Sequence, residues 1–269
     1  MYYIFDNKRK QMLENAKTLS YTKNITLIIG LGPEVIMYNS KTITREQLCR
    51  LFDHTLVKPF ATDEDYKKLC QEAAENHFAM VALDSGPVEL CAKYLKGTDV
   101  HVGGAVAFPT GNHTLECKLF EEEDDIKKGA DEIDYIIHIR ECKNHNWEYM
   151  YNEMKAITDM AKSHGLICKA LFENCYLTPE EIAKMSQIAR DVEPTFIKTS
   201  TGMGTYGARL EDIKIMKENC GDKVKVKAAG GVRTWEFVAQ LLDAGVERIG
   251  TSSAFKILEE FDAARAAGK

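Results

Sequence analysis

Eight short apolar segments alternate with longer amphipathic segments from about residue 44 onward, and this alternation constrains the fold more than any other feature. Strands that alternate with helices form right-handed βαβ units and a parallel sheet. Eight such units predict an α/β fold, a closed (β/α)8 TIM barrel over residues 44–269, with a doubly wound open sheet as the alternative. The predicted strands cover residues 52–57, 78–84, 100–108, 131–138, 167–173, 195–199, 224–229 and 246–251.

Helical patterns fill the intervals between these strands. Thr62 and Thr178 precede two of the patterns as N-caps, and Pro179 stands at the first helical position of the second. The acidic run 121–125 is interpreted as a solvated helix face. The predicted helices cover residues 63–76, 114–129, 146–164, 178–191, 207–219 and 233–243.

Residues 1–43 do not fit the repeat and are predicted to form an N-terminal extension that packs on the barrel or on a neighbouring subunit. They contain a charged helix-like stretch over 7–18 and an apolar run over 25–30. Gly30-Leu31-Gly32 lacks the third glycine of a dinucleotide fingerprint, and Pro33 interrupts the helix that would follow.

Composition excludes several classes of protein. The net charge of −6 and the pI near 5.7 argue against a nucleic-acid partner. No apolar run approaches the roughly 20 residues of a membrane helix, and the first residues lack the pattern of a signal peptide. Eight scattered cysteines with no Cys-x-x-Cys pair predict reduced thiols in a cytoplasmic protein, with no metal site and no cofactor.

Two lysines fall on neighbouring strands at positions that should face the barrel interior. Side chains alternate along a strand, so Lys225 and Lys227 are predicted to point inward while the intervening valine faces the helices. Lys198 lies late in the preceding strand. Buried ionisable residues are costly unless they are paired or functional, and active sites of these barrels lie at the carboxyl ends of the strands.

Other strands carry inward polar residues as well. Asp134 and His138 are predicted to share one face of the fourth strand, and Lys169 and Glu173 one face of the fifth. A structural ion-pair network is the alternative interpretation of any single one of these residues. Such a network does not readily explain two lysines on adjacent strands.

Two neighbouring ammonium groups disfavour each other's charge, and burial acts in the same direction. One amine can therefore be neutral near pH 7 and attack a carbonyl carbon, while the other donates a proton with the help of Asp134. This pairing of Lys198 with Lys227 predicts carbon–carbon bond chemistry through an imine, as in aldolases.

Glycine-rich turns follow three successive strands late in the chain. Glycines let backbone N–H groups approach a phosphate, and the loops after strands seven and eight are the usual phosphate site of such barrels. The substrate is therefore predicted to be a small phosphorylated molecule. The residues predicted to bind the phosphate are Gly202, Gly204, Gly230, Gly231, Gly250, Ser252 and Ser253.

The lysine motifs resemble the signatures of the deoxyribose-phosphate aldolase family. The motifs are Phe196-Ile-Lys-Thr-Ser-Thr-Gly202, Lys227-Ala-Ala-Gly-Gly-Val-Arg-Thr234 and Gly129-Ala-Asp-Glu-Ile-Asp134. Asp53-His-Thr-Leu56 with Lys58-Pro59, Phe108-Pro109 and Gly250-x-Ser-Ser253 are similar too, so the resemblance covers roughly residues 46–256.

The resemblance implies a class I aldolase, independent of metal, that cleaves 2-deoxy-D-ribose 5-phosphate to D-glyceraldehyde 3-phosphate and acetaldehyde in deoxynucleoside breakdown. It implies that Lys198 forms the Schiff base, that Lys227 tunes Lys198 and relays protons, and that Asp134 donates and accepts protons. It also implies a homo-oligomer, a dimer or a tetramer.

Four positions that differ from the family pattern, or adjoin a difference, are interpreted as candidate specificity residues. Ala82 and Asp84 lie on the second predicted strand, and His138 lies at the end of the fourth. Glu173 precedes Asn174, which stands where the family commonly has threonine. Three hypotheses follow: a deoxyribose-phosphate aldolase, a related class I aldolase with another substrate, and a non-catalytic phosphosugar-binding barrel.

Overall fold

The strands of the barrel are hydrogen-bonded in chain order, and the eighth pairs with the first to close it. The computed structural model describes residues 38–268, and every strand pair in it is parallel. The predicted (β/α)8 barrel is therefore confirmed. The strands are β1 (Phe52–Thr55), β2 (Met80–Asp84), β3 (His101–Val106), β4 (Glu132–Ile136), β5 (Ile167–Leu171), β6 (Phe196–Lys198), β7 (Lys225–Ala229) and β8 (Arg248–Thr251).

Helices join successive strands, and several begin at the caps that the sequence indicates. Thr62 and Thr178 each form a capping box with the residue three positions later. Helices of five to seven residues at 45–49, 88–94 and 139–143 were not predicted, because so short a segment shows little periodicity. The helices are α1 (Arg45–Cys49), α2 (Asp63–Glu75), α3 (Val88–Tyr94), α4 (Leu115–Lys128), α5 (Ile139–Lys143), α6 (Trp147–Ser163), α7 (Pro179–Val192), α8 (Leu210–Asn219), α9 (Trp235–Asp243) and α10 (Ala254–Ala266), with a 3-10 turn at Asn174–Tyr176. Within residues 38–268, no helix has the length and apolar character needed to cross a membrane.

Strand alternation separates an apolar outer layer from a charged interior. On β4, Ile133 and Tyr135 belong to the buried apolar core, whereas Glu132 and Asp134, which alternate with them in sequence, are buried charged residues. The same alternation on β7 places Val226 in the core and buries Lys227. Lys225, at the amino end of β7, is exposed instead, with its Nζ atom 5.9 Å from the centre of the Phe196 ring.

The acidic run on α4 is only partly solvated, so the prediction of a solvated helix face was wrong. Glu122 and Asp125 are fully buried, because with Lys118 they follow the helical repeat on the inner face. Asp125 accepts a hydrogen bond from Ser85 at 3.0 Å. Neither carboxylate oxygen of Glu122 makes a hydrogen bond of normal geometry with the described residues.

The described part of the chain begins with a segment that packs on the barrel. Ser40 donates hydrogen bonds from its backbone and side chain to Asp243 at the end of α9, at 3.0 and 2.7 Å. Ile43 is buried in the core, and its carbonyl accepts a hydrogen bond from Arg265 at 3.3 Å. The helix-like stretch 7–18 and the apolar run 25–30 lie outside the described residues.

Candidate active site

Lys198, the last residue of β6, reaches a large cavity at the carboxyl ends of the strands. The cavity has a volume of about 530 Å³, and Lys198 is 7% exposed in its wall. Lys227 lies directly beside it on β7, in register, but is fully buried and does not line the cavity. A carbonyl compound in the cavity could therefore meet the Lys198 amine directly.

The carboxylate of Asp134 connects the two lysines. Its Oδ2 atom accepts hydrogen bonds from Lys198 at 2.6 Å and from Lys227 at 2.7 Å. Its Oδ1 atom accepts one from Lys169 at 2.5 Å. Burial alone would raise the pKa of Asp134, but the three lysines outweigh burial and hold that pKa well below its usual range. Asp134 is thus a carboxylate that both amines share.

Further charged residues extend this cluster along the barrel axis. Asp53 lies 2.5 Å from the Lys227 amine and 3.4 Å from the Arg248 guanidinium. Glu132 lies 2.6 Å from Lys169 and 2.7 Å from Arg248. We call this set the axial charge network; it comprises Asp53, Glu132, Asp134, Lys169, Lys198, Lys227 and Arg248.

The axial charge network holds more basic groups than acidic ones. Its three carboxylates face three lysines and one arginine, so full protonation would leave one surplus positive charge among buried groups. Burial lowers the pKa of Lys227, Asp134 and Asp53 oppose this shift, and Lys198 and Lys169 reinforce it, so that the resulting pKa is about 8. The surplus positive charge therefore favours loss of a proton from one amine, and Lys227 is the group on which this effect is evident. That Lys198 is the amine that attacks the carbonyl stays a prediction.

Five of the seven predicted phosphate-binding residues line the cavity. They are Gly202, Gly230, Gly231, Gly250 and Ser252. Gly204 and Ser253 are not among the lining residues. A Cβ atom on Gly204 would lie 2.3 Å from the Cys175 sulfur, which shows that this glycine packs against the loop after β5. The backbone N–H of Ser253 donates to Thr251 Oγ1 at 2.9 Å, so that donor is already used.

The turns after β6 and β7 meet through backbone atoms alone. A Cβ atom on Gly207 would lie 2.0 Å from the carbonyl oxygen of Gly230. The Gly230 carbonyl in turn accepts a hydrogen bond from the Ala208 N–H at 3.0 Å. Side chains are excluded from the contact between Gly207 and Gly230, which holds the two turns together.

Three cationic side chains of the cavity wall were missed as site residues. Lys58, Lys68 and Arg233 are exposed and line the cavity together with the glycine turns. Arg233 lies two residues after the Gly230-Gly231 pair in sequence, so its position could have identified it as a residue of the site. Lys68 lies on α2 and is indistinguishable in sequence from a solvated helix lysine.

The candidate specificity residues are placed differently from one another. Ala82 lines a narrow recess beside Asp134 and Lys198. Asp84 lines neither this recess nor the large cavity, and burial followed by the nearby Glu121 charge raises its pKa. Glu173 is buried and accepts hydrogen bonds from the backbone and side chain of Thr201, a cavity residue.

The expectation that His138 shares a face with Asp134 was wrong. Strand β4 ends at Ile136, and His138 instead caps α5, so the two-residue alternation does not reach it. The His138 ring packs edge-on against Tyr149, with ring centres 5.4 Å apart, and the backbone N–H of His138 donates to the Glu153 carboxylate at 2.9 Å. His138 is not among the residues that line the cavity or the recess.

Comparison with known proteins connects this site to a family. Residues 48–257 match the model of the DeoC/LacD family aldolases. The chain is 47% identical over 216 residues to a deoxyribose-phosphate aldolase of Lactobacillus acidophilus, covering 80% of this chain and 91% of that one. It is 44% identical over 216 residues to a deoxyribose-phosphate aldolase of Bacteroides thetaiotaomicron, with the same coverage of both chains. The tetrameric deoxyribose phosphate aldolase of Aeropyrum pernix superposes with a TM-score of 0.76 and 29% identity, covering 82% of this chain and 93% of that one.

Proposed function

Because the chain belongs to the DeoC/LacD family of aldolases, we propose that it cleaves 2-deoxy-D-ribose 5-phosphate to D-glyceraldehyde 3-phosphate and acetaldehyde through an imine on Lys198. The observation that carries this proposal is the sharing of one Asp134 oxygen by two lysines, of which Lys198 alone lines the cavity. That arrangement supplies a nucleophile and a proton store in one buried site.

Imine formation requires a neutral Lys198 amine. Asp134 Oδ2 accepts from both amines, so a proton can pass from Lys198 to Lys227 through this shared oxygen. The neutral Lys198 nitrogen then attacks the aldehyde carbon C1 of the open-chain sugar, giving a carbinolamine. A proton returned from Lys227 through Asp134 converts the hydroxyl to leaving water, and a protonated imine results.

The protonated imine then accepts the electron pair of the bond between C2 and C3. As that bond breaks, the C3 hydroxyl loses its proton to a base and becomes the aldehyde of glyceraldehyde 3-phosphate. Carbons C1 and C2 remain on Lys198 as an enamine. Protonation at C2 and attack of water on the resulting imine release acetaldehyde and return the amine.

The phosphate group is proposed to bind at the glycine turns. Gly230 and Gly231 have positive φ angles of 83° and 73°, a conformation that suits glycine, and a Cβ atom on Gly231 would meet open space. Ser252 and Arg233 line the same cavity and supply hydroxyl and guanidinium donors. This anchor would hold C1 of the sugar toward Lys198, at the base of the cavity.

We also propose a cytoplasmic homo-oligomer that serves deoxyribonucleotide catabolism. All eight cysteines are free thiols, which suits a reducing compartment. The structural relative from Aeropyrum pernix is tetrameric. Size-exclusion chromatography with light scattering tests the assembly state.

A coupled assay for glyceraldehyde 3-phosphate release from deoxyribose 5-phosphate, run beside a panel of other sugar phosphates, tests the function. Borohydride reduction during turnover should leave a stable adduct on Lys198, located by peptide mass spectrometry. Lys225→Ala serves as the control for Lys198→Ala, since Lys225 is an exposed strand lysine. Activity confined to another sugar phosphate would indicate a related aldolase, and no adduct with any substrate would indicate a binding barrel.

A further inference from the structure

The axial charge network continues from the active site to the amino-terminal face of the barrel. Glu132, the first residue of β4, is fully buried and contacts Lys169 at 2.6 Å. Its other oxygen lies 2.7 Å from Arg248 and 2.7 Å from the Nδ1 atom of His101. His101 begins β3, and its side chain is 45% exposed. An unbroken series of charged contacts therefore joins the amino-terminal surface to Asp134.

We propose that Glu132 is a positioning residue for the aldol reaction, acting through Lys169 on Asp134, and that His101 tethers Glu132 from the opposite face of the barrel. The inference rests on the proposed aldolase function. None of these residues, apart from Asp134, lines the large cavity or the recess beside it, so their effect is on the arrangement of the reacting groups.

The contacts of Lys169 explain how Glu132 can affect the position of Asp134. Its ammonium bridges Glu132 and Asp134 at 2.6 and 2.5 Å, whereas Asp53 is 4.0 Å away. By occupying Asp134 Oδ1, Lys169 fixes the rotation of that carboxylate and leaves Oδ2 to Lys198 and Lys227. Without the Glu132 charge, Asp134 would be the only carboxylate in close contact with Lys169 among the described residues, and Lys169 would compete with the two catalytic amines for it.

The structure also determines whether removal of a charged residue raises or lowers the pKa of Lys227. Glu132 contributes negative charge to a network whose Lys227 has a pKa of about 8, so its removal should lower the pKa of Lys227 further. Removal of the positive Arg248 should raise it. Three charged groups face His101, namely Glu132, Asp131 and Arg248, and the hydrogen bond to Glu132 is the main cause of its raised pKa.

The first experiment measures kcat and KM for deoxyribose 5-phosphate against pH in Glu132→Gln and Arg248→Met. In Glu132→Gln, kcat should fall about tenfold while KM stays within about twofold, since the phosphate turns are remote from residue 132. The limb near pH 8, which Lys227 sets, should move to lower pH by about half a pH unit in Glu132→Gln and to higher pH in Arg248→Met. A purely structural defect would not move the limb in opposite directions.

The second experiment uses the exposed end of the series, where folding is not at risk. His101→Asn keeps a neutral side-chain donor toward Glu132 and should retain kcat, whereas His101→Leu removes the donor and should lower kcat about threefold. His77→Leu is the matched control, because His77 is an exposed histidine paired with Asp99 at 3.1 Å outside the network.

Each variant is also reduced with borohydride in the presence of acetaldehyde alone, and the rate of adduct formation on Lys198 is measured. If the wild type forms this adduct but leaves deoxyribose 5-phosphate intact, the proposed function fails and the adduct rate alone tests the positioning role. Wild-type kcat, adduct rate and pH limb in Glu132→Gln, or equal kcat in His101→Asn and His101→Leu, would overturn the inference.

Discussion

The most informative prediction concerns the alkaline side of the pH profile. Imine formation needs one proton held between Lys198 and Lys227, so that the first amine attacks while the second supplies the proton for departing water. Burial and neighbouring lysines lower the pKa of Lys227 to about 8. Below that pH Lys227 is itself protonated and cannot take up the proton of Lys198, so activity should rise as the pH increases through 8.

The size of this effect follows from the titration of a single group. With a pKa of about 8, Lys227 is about nine-tenths protonated at pH 7 and about one-tenth protonated at pH 9. The deprotonated fraction of Lys227, which can accept the proton of Lys198, and with it kcat/KM, should therefore rise about tenfold between those two pH values. Lys227→Leu should lower the rate by several orders of magnitude and abolish the limb near pH 8, because the titrating amine is gone.

Initial rates at saturating and at limiting substrate, measured from pH 6 to pH 10 with coupling enzymes in excess, provide the test. Thermal unfolding across the same range controls for loss of folded protein. A rate that stays level or falls between pH 7 and pH 9, or a Lys227→Leu variant that keeps the limb, would show that Lys227 is not the proton store.

Three further predictions use other parts of the structure. Lys198→Ala should abolish turnover and the borohydride adduct while retaining the fold by circular dichroism; residual adduct elsewhere would contradict its role. Arg233→Met should raise KM for the phosphorylated sugar about tenfold with little change in kcat, and equal loss on a non-phosphorylated sugar would refute a phosphate contact. Buried Glu122 has its pKa raised from 4.5 to about 8, so it takes up a proton on folding and stability falls as pH rises through that window. Glu122→Gln should therefore stabilise the protein at pH 9 by up to about 5 kcal/mol but not at pH 4. Denaturant unfolding at both pH values measures this effect, with the exposed Glu123→Gln as the control. Equal effects at the two pH values would contradict the prediction.

Much of the fold and the centre of the site follow from the two-residue alternation of strands. That rule buries Asp134, Lys169 and Lys227 inside the barrel and places Lys198 in the cavity wall, because each lies within a strand whose length the apolar pattern defines. It fails for His138, since the apolar pattern continues past Ile136 although the strand does not. Strand ends depend on helix and loop packing that a local pattern does not contain.

Contacts between distant segments could not be predicted from the sequence, for a similar reason. Lys169 was predicted to point inward, but its choice of Asp134 and Glu132 as partners depends on strand register. The burial of Glu122 in an acidic run depends on how α4 is rotated against the barrel. Tertiary packing determines these partners and this burial, and it overrides local composition.

The side-chain-free contact between Gly207 and Gly230 has a consequence for engineering. Any residue larger than glycine at position 207 would collide with the main chain of the neighbouring turn, so a single substitution there has no flexible atom to displace. Accommodating it would demand a simultaneous change in both turns, a strongly epistatic step that random mutagenesis rarely samples. Libraries intended to alter substrate range are better directed at Lys58, Lys68 and Met203, whose exposed side chains can vary independently.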